Sequence, residues 1–291
     1  IRVDKMQKSY DGTIKNALRL HDDLLVESVL IPTKTRSTAC VSSQVGCSLD
    51  CTFCATSRLK RMRNLNPDEI YDQVMAIHQA SMFHHDRPLS NIVFMGMGEP
   101  LMNYKNVLKA IDMITGDQGL GMSPKRITLS TSGVPKMIKK LADDAVKFHL
   151  ALSLHSAIQE KRQTIMPFAE RFRLDDVMKS LIYWYEKTKR RVTFEYIVWK
   201  EFNDTDQDIL ALVNFCKKLP CKVNIIEYNT IDGGEFTQAA PNRVQAYTQA
   251  LEKASIPVTV RRSRGNDIDA ACGQLANKHK KKAPFQAPLK Y

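Results

Sequence analysis

Cys40-Val-Ser-Ser-Gln-Val-Gly-Cys47-Ser-Leu-Asp-Cys51-Thr-Phe-Cys54-Ala-Thr56 is the stretch whose spacing decides how the rest of the chain is understood. Three of its cysteines follow the pattern Cys47-x-x-x-Cys51-x-x-Cys54, in a loop between a predicted strand and a helix predicted to begin at Pro67. Three thiolates so spaced can grip three corners of a cubane 4Fe–4S cluster, because soft sulfur ligands suit iron–sulfur chemistry. The fourth iron then stays open, and the amino and carboxylate groups of S-adenosylmethionine (SAM) can chelate it. Phe53 can pack on such a cofactor. Two alternatives stand beside this reading: a zinc site completed by a distant histidine such as His78, and buried reduced thiols.

Outward from the motif, short β-rich runs alternate with amphipathic helical stretches. Strands are predicted at 38–43, 90–96, 126–131, 148–154, 191–199, 222–228 and 258–262, several of them nearly continuous apolar runs of the kind found in covered parallel strands. Helices are predicted at 67–80, 104–115, 134–143, 174–188, 204–218 and 241–254. Pro67 and Pro241 suit first-turn positions, and Asn66 suits an N-cap. About six strand–helix repeats imply an α/β fold whose parallel strands are joined by right-handed crossovers. Ahead of them, 13–20 and 24–31 read as a small β-hairpin turning at His21-Asp22-Asp23. The expected division is an N-terminal hairpin extension over 1–37, a barrel domain over 38–277 and a basic, mobile tail over 278–291.

Polar or reactive residues fall at the C-terminal ends of successive predicted strands: Cys47 after the first, Gly98-Glu99-Pro100 after the second, Ser130 closing the third, His155 after the fourth and Asn229 after the sixth. In parallel α/β sheets and barrels that edge binds ligands. Gly96, Gly98 and Glu99 form a turn where backbone can approach a ligand, and Glu99 can accept from an amino group.

The 291 residues carry a net charge of +12, from 43 basic and 31 acidic residues, which favours a polyanionic partner such as RNA. Basic clusters lie at Arg58, Lys60, Arg61 and Arg63, directly after the cysteine motif, and at Arg261, Arg262 and Arg264, just before Cys272. No apolar run approaches the roughly 20 residues needed to span a bilayer, and no basic-then-apolar leader opens the sequence, so a cytoplasmic protein without membrane attachment is expected. Seven cysteines, an odd number without a secretory signal, point to metal binding or catalysis instead of a disulfide framework. Cys216 and Cys221 fit no cluster spacing and read as core residues.

Five stretches together resemble the radical SAM superfamily and, more narrowly, the RlmN/Cfr family of RNA adenosine methyltransferases. They are CVSSQVGCSLDCTFCAT (Cys40–Thr56), FMGMGEPLMN (Phe94–Asn103), RITLSTSG (Arg126–Gly133), ALSLHS (Ala151–Ser156) and RGNDIDAACGQLA (Arg264–Ala276). The resemblance implies a partial (β/α)6 radical SAM barrel, a 4Fe–4S cluster on Cys47, Cys51 and Cys54, and SAM contacts from Gly98, Glu99, Ser130, Ser153, Leu154, His155 and Asn229. Family members usually begin with a helical accessory domain that helps hold RNA, and no counterpart precedes Ile1 in this sequence. Ser57 stands where a glycine often follows the Ala-Thr pair.

The same resemblance implies the chemistry. Adenine C2 is a poor nucleophile, so direct attack on the methyl of SAM would fail. One SAM methylates the Cys272 thiolate by displacement. A second SAM yields the radical that takes a hydrogen from the S-methyl group, and the resulting carbon radical joins the adenine. Cys40 matches the resolving cysteine, which forms a disulfide with Cys272 as product leaves, and Glu27 matches the family's proton acceptor. The implied partners are 23S rRNA and tRNA as substrates and an external electron donor of the flavodoxin or ferredoxin type, with the enzyme a monomer. Methylation at C8, as in Cfr, is the alternative regiochemistry, and a non-catalytic zinc-bound RNA-binding module the alternative of another class.

Overall fold

A computed structural model describes residues 1–277, and the predicted tail at 278–291 lies outside them. The strands run β1 (Arg2–Lys8), β2 (Ile14–Arg19), β3 (Leu25–Pro32), β4 (Ser37–Cys40), β5 (Gln44–Val45), β6 (Arg63–Asn64), β7 (Asn91–Phe94), β8 (Ile127–Thr131), β9 (His149–Ser153), β10 (Val192–Ile197), β11 (Cys221–Ile226) and β12 (Val258–Arg261). The helices are α1 (Pro67–His85), α2 (Tyr104–Thr115), α3 (Pro135–Asp143), α4 (Gln159–Ile165), α5 (Leu174–Thr188), α6 (Asp206–Cys216) and α7 (Pro241–Lys253). Ten strands form one sheet in the order β1-β2-β3-β4-β7-β8-β9-β10-β11-β12, while β5 and β6 pair separately. From β4 to β12 every neighbour is parallel; β1 to β4 are antiparallel. Six crossovers therefore carry seven parallel strands, and the predicted α/β barrel architecture holds.

The local causes are those the sequence carries. Val192–Ile197, the apolar run VTFEYI, is buried at all six positions, as a strand flanked on both sides must be. Pro67, Pro135 and Pro241 open α1, α3 and α7, where a missing N–H is no loss. The N–H of Asn66 donates to Glu69 at 2.8 Å, and Arg63 grips the same carboxylate, so the start of α1 is fixed to the end of the cysteine loop. Helix residues Val74, Ile77, Val107, Ile111, Leu181 and Leu251 pack into one core with the strands. No helix among the described residues is long and apolar enough to cross a membrane.

Three differences from the predicted map have physical reasons. A third N-terminal strand, β1, extends the hairpin; nearly all of its side chains are exposed, so no buried face marks RVDKMQK as a strand. The helix α4 is short and polar (QEKRQTI) and buries little beyond Arg162 and Ile165. The first parallel strand stops at Cys40 instead of 43, because Ser43 N–H donates to the carbonyl of Met97 at 2.8 Å and Met97 N–H to Ser42 Oγ at 2.8 Å, which turns the chain into the Gly98 loop.

The sheet does not close by strand pairing, since β1 and β12 are its edges. The segment after β12 bridges them. Gly265 N–H donates to Asp11 Oδ2 at 3.0 Å in the β1–β2 turn, and Ser9 Oγ donates to Asp267 at 2.6 Å. Gly265 has φ of +69°, and a Cβ there would meet Ala270 and Thr13 at 2.8 Å, so both conformation and space require glycine. This bridge carries Cys272 over the C-terminal ends of the strands.

Candidate functional site

One cavity of about 370 Å³ opens at that end of the sheet. Each of the seven parallel strands contributes a residue to it: Cys40, Phe94, Ser130, Ser153, Glu195, Ile226 and Arg261. Cys47, Cys51, Cys54, Gly98, Glu99, His155 and Cys272 complete the part of the wall that matters chemically. The volume suits a small-molecule cofactor.

The cysteine loop is pinned by main chain. Cys47 N–H donates to Leu59 at 3.3 Å, Thr52 N–H to Ile165 at 3.0 Å, Cys54 N–H to Cys51 at 3.2 Å, and Ala55 N–H to Gly273 at 2.7 Å. All three motif thiols are free. Burial pushes the Cys47 thiol up to about 11, and burial together with Cys54 and Cys47 raises Cys51 well above its ordinary value. Such thiols stay protonated at neutral pH until a metal takes the thiolate. Among the described residues no three His, Cys, Asp or Glu converge as ligands of a single metal ion would. A cubane instead puts each cysteine on a different iron, spread around its corners. His78, an example of the distant histidine that would complete a zinc site, sits on α1 and does not line the cavity.

Arg162, on α4, is wholly buried beneath this loop. Its Nε donates to the Leu154 carbonyl at 3.1 Å, and its Nη2 to the carbonyls of Ser132 at 2.6 Å and Ser153 at 3.2 Å. The strand ends after β8 and β9 are thus held by one guanidinium, whose charge also favours the Cys51 thiolate.

The Gly98 turn has φ of +94°, and a Cβ there would collide with Gln44, 2.5 Å from its Cβ. Glu99 is nearly fully buried and accepts from Leu101 N–H at 3.0 Å, Thr131 Oγ1 at 2.7 Å and Ser132 N–H at 2.8 Å. Burial raises its carboxyl, and those three donors pull it back. Ser130 and Ser153 hydroxyls stand 3.4 Å apart. His155 adopts a left-handed backbone, φ +57°, held by Asn203 Nδ2 donating to its carbonyl at 2.7 Å. Its Nδ1 accepts from Ile197 N–H at 3.3 Å, which leaves the proton on Nε2, and Phe53 meets the ring edge-on at 4.8 Å. Burial and Arg162 hold this imidazole neutral, down to about 3.

Two of the predicted cofactor contacts lie behind the wall instead of on it. Leu154 is a core side chain whose N–H donates to the Glu195 carbonyl at 3.0 Å. Asn229 donates from Nδ2 to the Cys272 carbonyl at 3.3 Å, and its buried Oδ1 has no partner.

Cys40, on the first parallel strand, and Cys272, on the segment that follows the last, both reach the cavity. Cys40 is buried, and desolvation, helped by the neighbouring Cys272, pushes its thiol up to about 12. Cys272 is exposed at the mouth; the protein around it raises its thiol, while Arg261 pulls it down. Arg261 also faces Cys40, and its Nη1 lies 3.5 Å from Glu195 Oε2. Glu27 is not brought to this site: it is fully buried on β3 and does not line the cavity.

Sequence reasoning missed Arg162, Glu195 and Arg261 as site residues. Arg261 had a signal, its place in the basic cluster before Cys272. Glu195 is a lone acidic residue inside the run VTFEYI, and Arg162 falls in a stretch predicted as neither strand nor helix.

Residues 41–214 match the radical SAM superfamily. A probable dual-specificity RNA methyltransferase RlmN from Flavobacterium johnsoniae is 70% identical over 96% of this chain and 80% of its own length. Its counterpart from Christiangramia forsetii is 71% identical, over 96% and 79%. Among solved structures, a radical SAM methyltransferase from Sphaerobacter thermophilus superposes with a TM-score of 0.91 at 37% identity, covering 94% of this chain and 80% of that one. With the thiols, the Gly98 turn and the Cys272 bridge meeting in one cavity, and with identity this high along nearly the whole chain, the protein belongs to the radical SAM superfamily and, within it, to the RlmN family of RNA methyltransferases.

Proposed function

We propose that this enzyme methylates adenosine at C2 in both 23S rRNA and tRNA, with Cys272 as the methyl carrier. The observation that carries this reading is the meeting of Cys40, Cys272 and the three motif cysteines in one cavity at the C-terminal ends of the strands. Membership of the family implies a 4Fe–4S cluster and SAM, which when bound supply a transferable methyl group and one-electron cleavage of a sulfonium bond.

The residues present fit those groups. Three soft donors, Cys47, Cys51 and Cys54, would hold the cluster, and Phe53 packs beside them. Glu99, Ser130 and Ser153 offer polar atoms on the wall to SAM, and Asn229 stands behind it, holding the Cys272 carbonyl. His155, kept neutral, offers the Nε2 proton without adding a charge. Cys272 holds its sulfur at the mouth, where both a methyl donor and a flipped-out base can reach it. Cys40 faces it from β4 and resolves the protein–RNA adduct by pairing with it. Two SAM molecules are consumed per turnover, an external flavodoxin- or ferredoxin-type protein supplies the electron, and the enzyme acts as a monomer in the cytoplasm.

Nucleoside mass spectrometry of 23S rRNA and tRNA treated with the reconstituted enzyme tests this. The expected product is 2-methyladenosine in both RNAs; 8-methyladenosine, or no methylated adenosine with a fully loaded cluster, would overturn it.

A further inference from the structure

Arg162 is wholly buried on α4, yet its contacts leave its charge unanswered. Nε and Nη2 donate to the carbonyls of Leu154, Ser153 and Ser132, while Nη1 is buried without a partner. Burial pulls the guanidinium down to about 10, so it stays charged at neutral pH. The buried carboxylates are engaged elsewhere: Glu27 with Lys15, Glu195 with Arg261, Asp208 with Lys161 and Glu69 with Arg63. Glu99 accepts from three uncharged donors. A charge buried without a counter-ion is unfavourable, and a neutral amide could serve backbone carbonyls without that penalty.

The position of Arg162 gives its charge a use. The helix α4 ends at Ile165, whose carbonyl accepts from Thr52 N–H at 3.0 Å, so it is bonded to the residue that follows Cys51. The guanidinium is near enough to Cys51 to act on it electrostatically. Three thiolates outweigh the charge of an oxidised cubane core, so a loaded loop is anionic before an electron arrives and more so afterwards. Net charge and the groups around a cluster set its reduction potential. We propose that Arg162 is the counter-ion of the cysteine loop: its buried charge beside Cys51 favours the reduced cluster, and so eases uptake of the single electron that the external donor supplies. This rests on the reading of Cys47, Cys51 and Cys54 as cluster ligands.

Charge and hydrogen bonding separate by substitution. Arg162→Gln keeps donors and loses the charge, whereas Arg162→Lys keeps the charge and loses the planar fork. A second pair leaves Arg162 in place. Its Cζ stands 5.5 Å from the centre of the Phe168 ring, so Phe168→Glu brings a carboxylate to the guanidinium, and Phe168→Gln is the uncharged control of similar size. The readout is the cluster's midpoint potential, from anaerobic redox titration followed by electron paramagnetic resonance, without SAM or RNA. Iron and sulfide content is measured on each sample.

Arg162→Gln should lower the equilibrium constant for reduction about tenfold, equivalent to about 59 mV for one electron. Arg162→Lys should stay within about threefold of the parent. Phe168→Glu should move in the same direction as Arg162→Gln, and Phe168→Gln should not move. An unchanged potential in Arg162→Gln, or one as low in Arg162→Lys, would leave Arg162 only the structural task of holding strand ends and overturn the proposal. If Arg162→Gln takes up no cluster, the Phe168 pair decides alone: equal potentials in its two members overturn the proposal. A parent that takes up no iron and sulfide sinks the cluster reading, and this role with it; a loaded parent whose variants share its potential sinks the role alone.

Discussion

Asn229 Nδ2 donates to the main-chain carbonyl of Cys272 at 3.3 Å. A residue at the end of the sixth parallel strand therefore holds the loop that carries the reactive sulfur, while its buried Oδ1 is left for another donor. Asn229→Ala removes that hold. Hydrogen exchange at 271–274 should accelerate about five- to tenfold, the effect of losing one buried hydrogen bond. Exchange measured by mass spectrometry on parent and variant checks this; an unchanged rate would mean that Asn229 does not hold the loop.

Arg261 is the guanidinium that faces both Cys40 and Cys272, with Glu195 bracing it at 3.5 Å and Asn224 Nδ2 donating to the other oxygen of Glu195 at 2.8 Å. A nearby cation favours a thiolate over a thiol. Arg261→Met should shift the pH–rate profile for iodoacetamide alkylation of both cysteines to higher pH, slowing reaction at pH 8. Peptide mass spectrometry resolves the two sites. Since Cys40 begins near 12, its slowing should be seen against an already low rate.

How much of this was legible beforehand follows from what each feature leaves in the chain. Parallel strands such as VTFEYI are buried on both faces and announce themselves as apolar runs, and helices such as α2 carry a clear 3.6-residue stripe. The cysteine spacing is local, so the triad was visible. The exposed β1 and the polar α4 leave no such trace, because neither buries a continuous face. The interior charges were least legible. Glu195 lies opposite Ser153 on β9 and Asn224 on β11, and only strand register brings it to the thiols. The position of Glu27 also needed the structure: nothing in the sequence tells that the amides of Ala276 and Asn277, some 250 residues later, come back to it.

Burial and Arg162 depress the pKa of His155 from 6.5 to about 3. The unfolded chain therefore binds a proton here that the folded protein refuses. Stability should fall as pH drops from about 6.5 toward 3, at up to about 1.4 kcal/mol per pH unit, and this site should contribute no slope above pH 7. His155→Asn, which keeps an acceptor near Ile197 N–H, should flatten that part of the profile. Denaturant titrations from pH 7.5 to 4.5 would show it, and parallel slopes in parent and variant would contradict the assignment.

Cys40→Ala tests the resolving thiol. The variant keeps Cys272 and the three motif cysteines, so it should still take a methyl group on Cys272 and still join the RNA, but release of product should stall. Denaturing electrophoresis would then show an RNA-shifted protein band that Cys272→Ala does not form. Because Cys40 is buried at the end of β4, removing its sulfur leaves a small cavity, at a cost of about 1 kcal/mol. That loss is too small to unfold a domain of this size, so a missing adduct cannot be blamed on the fold. Normal release of methylated RNA by Cys40→Ala would mean that Cys272 is freed without a second thiol.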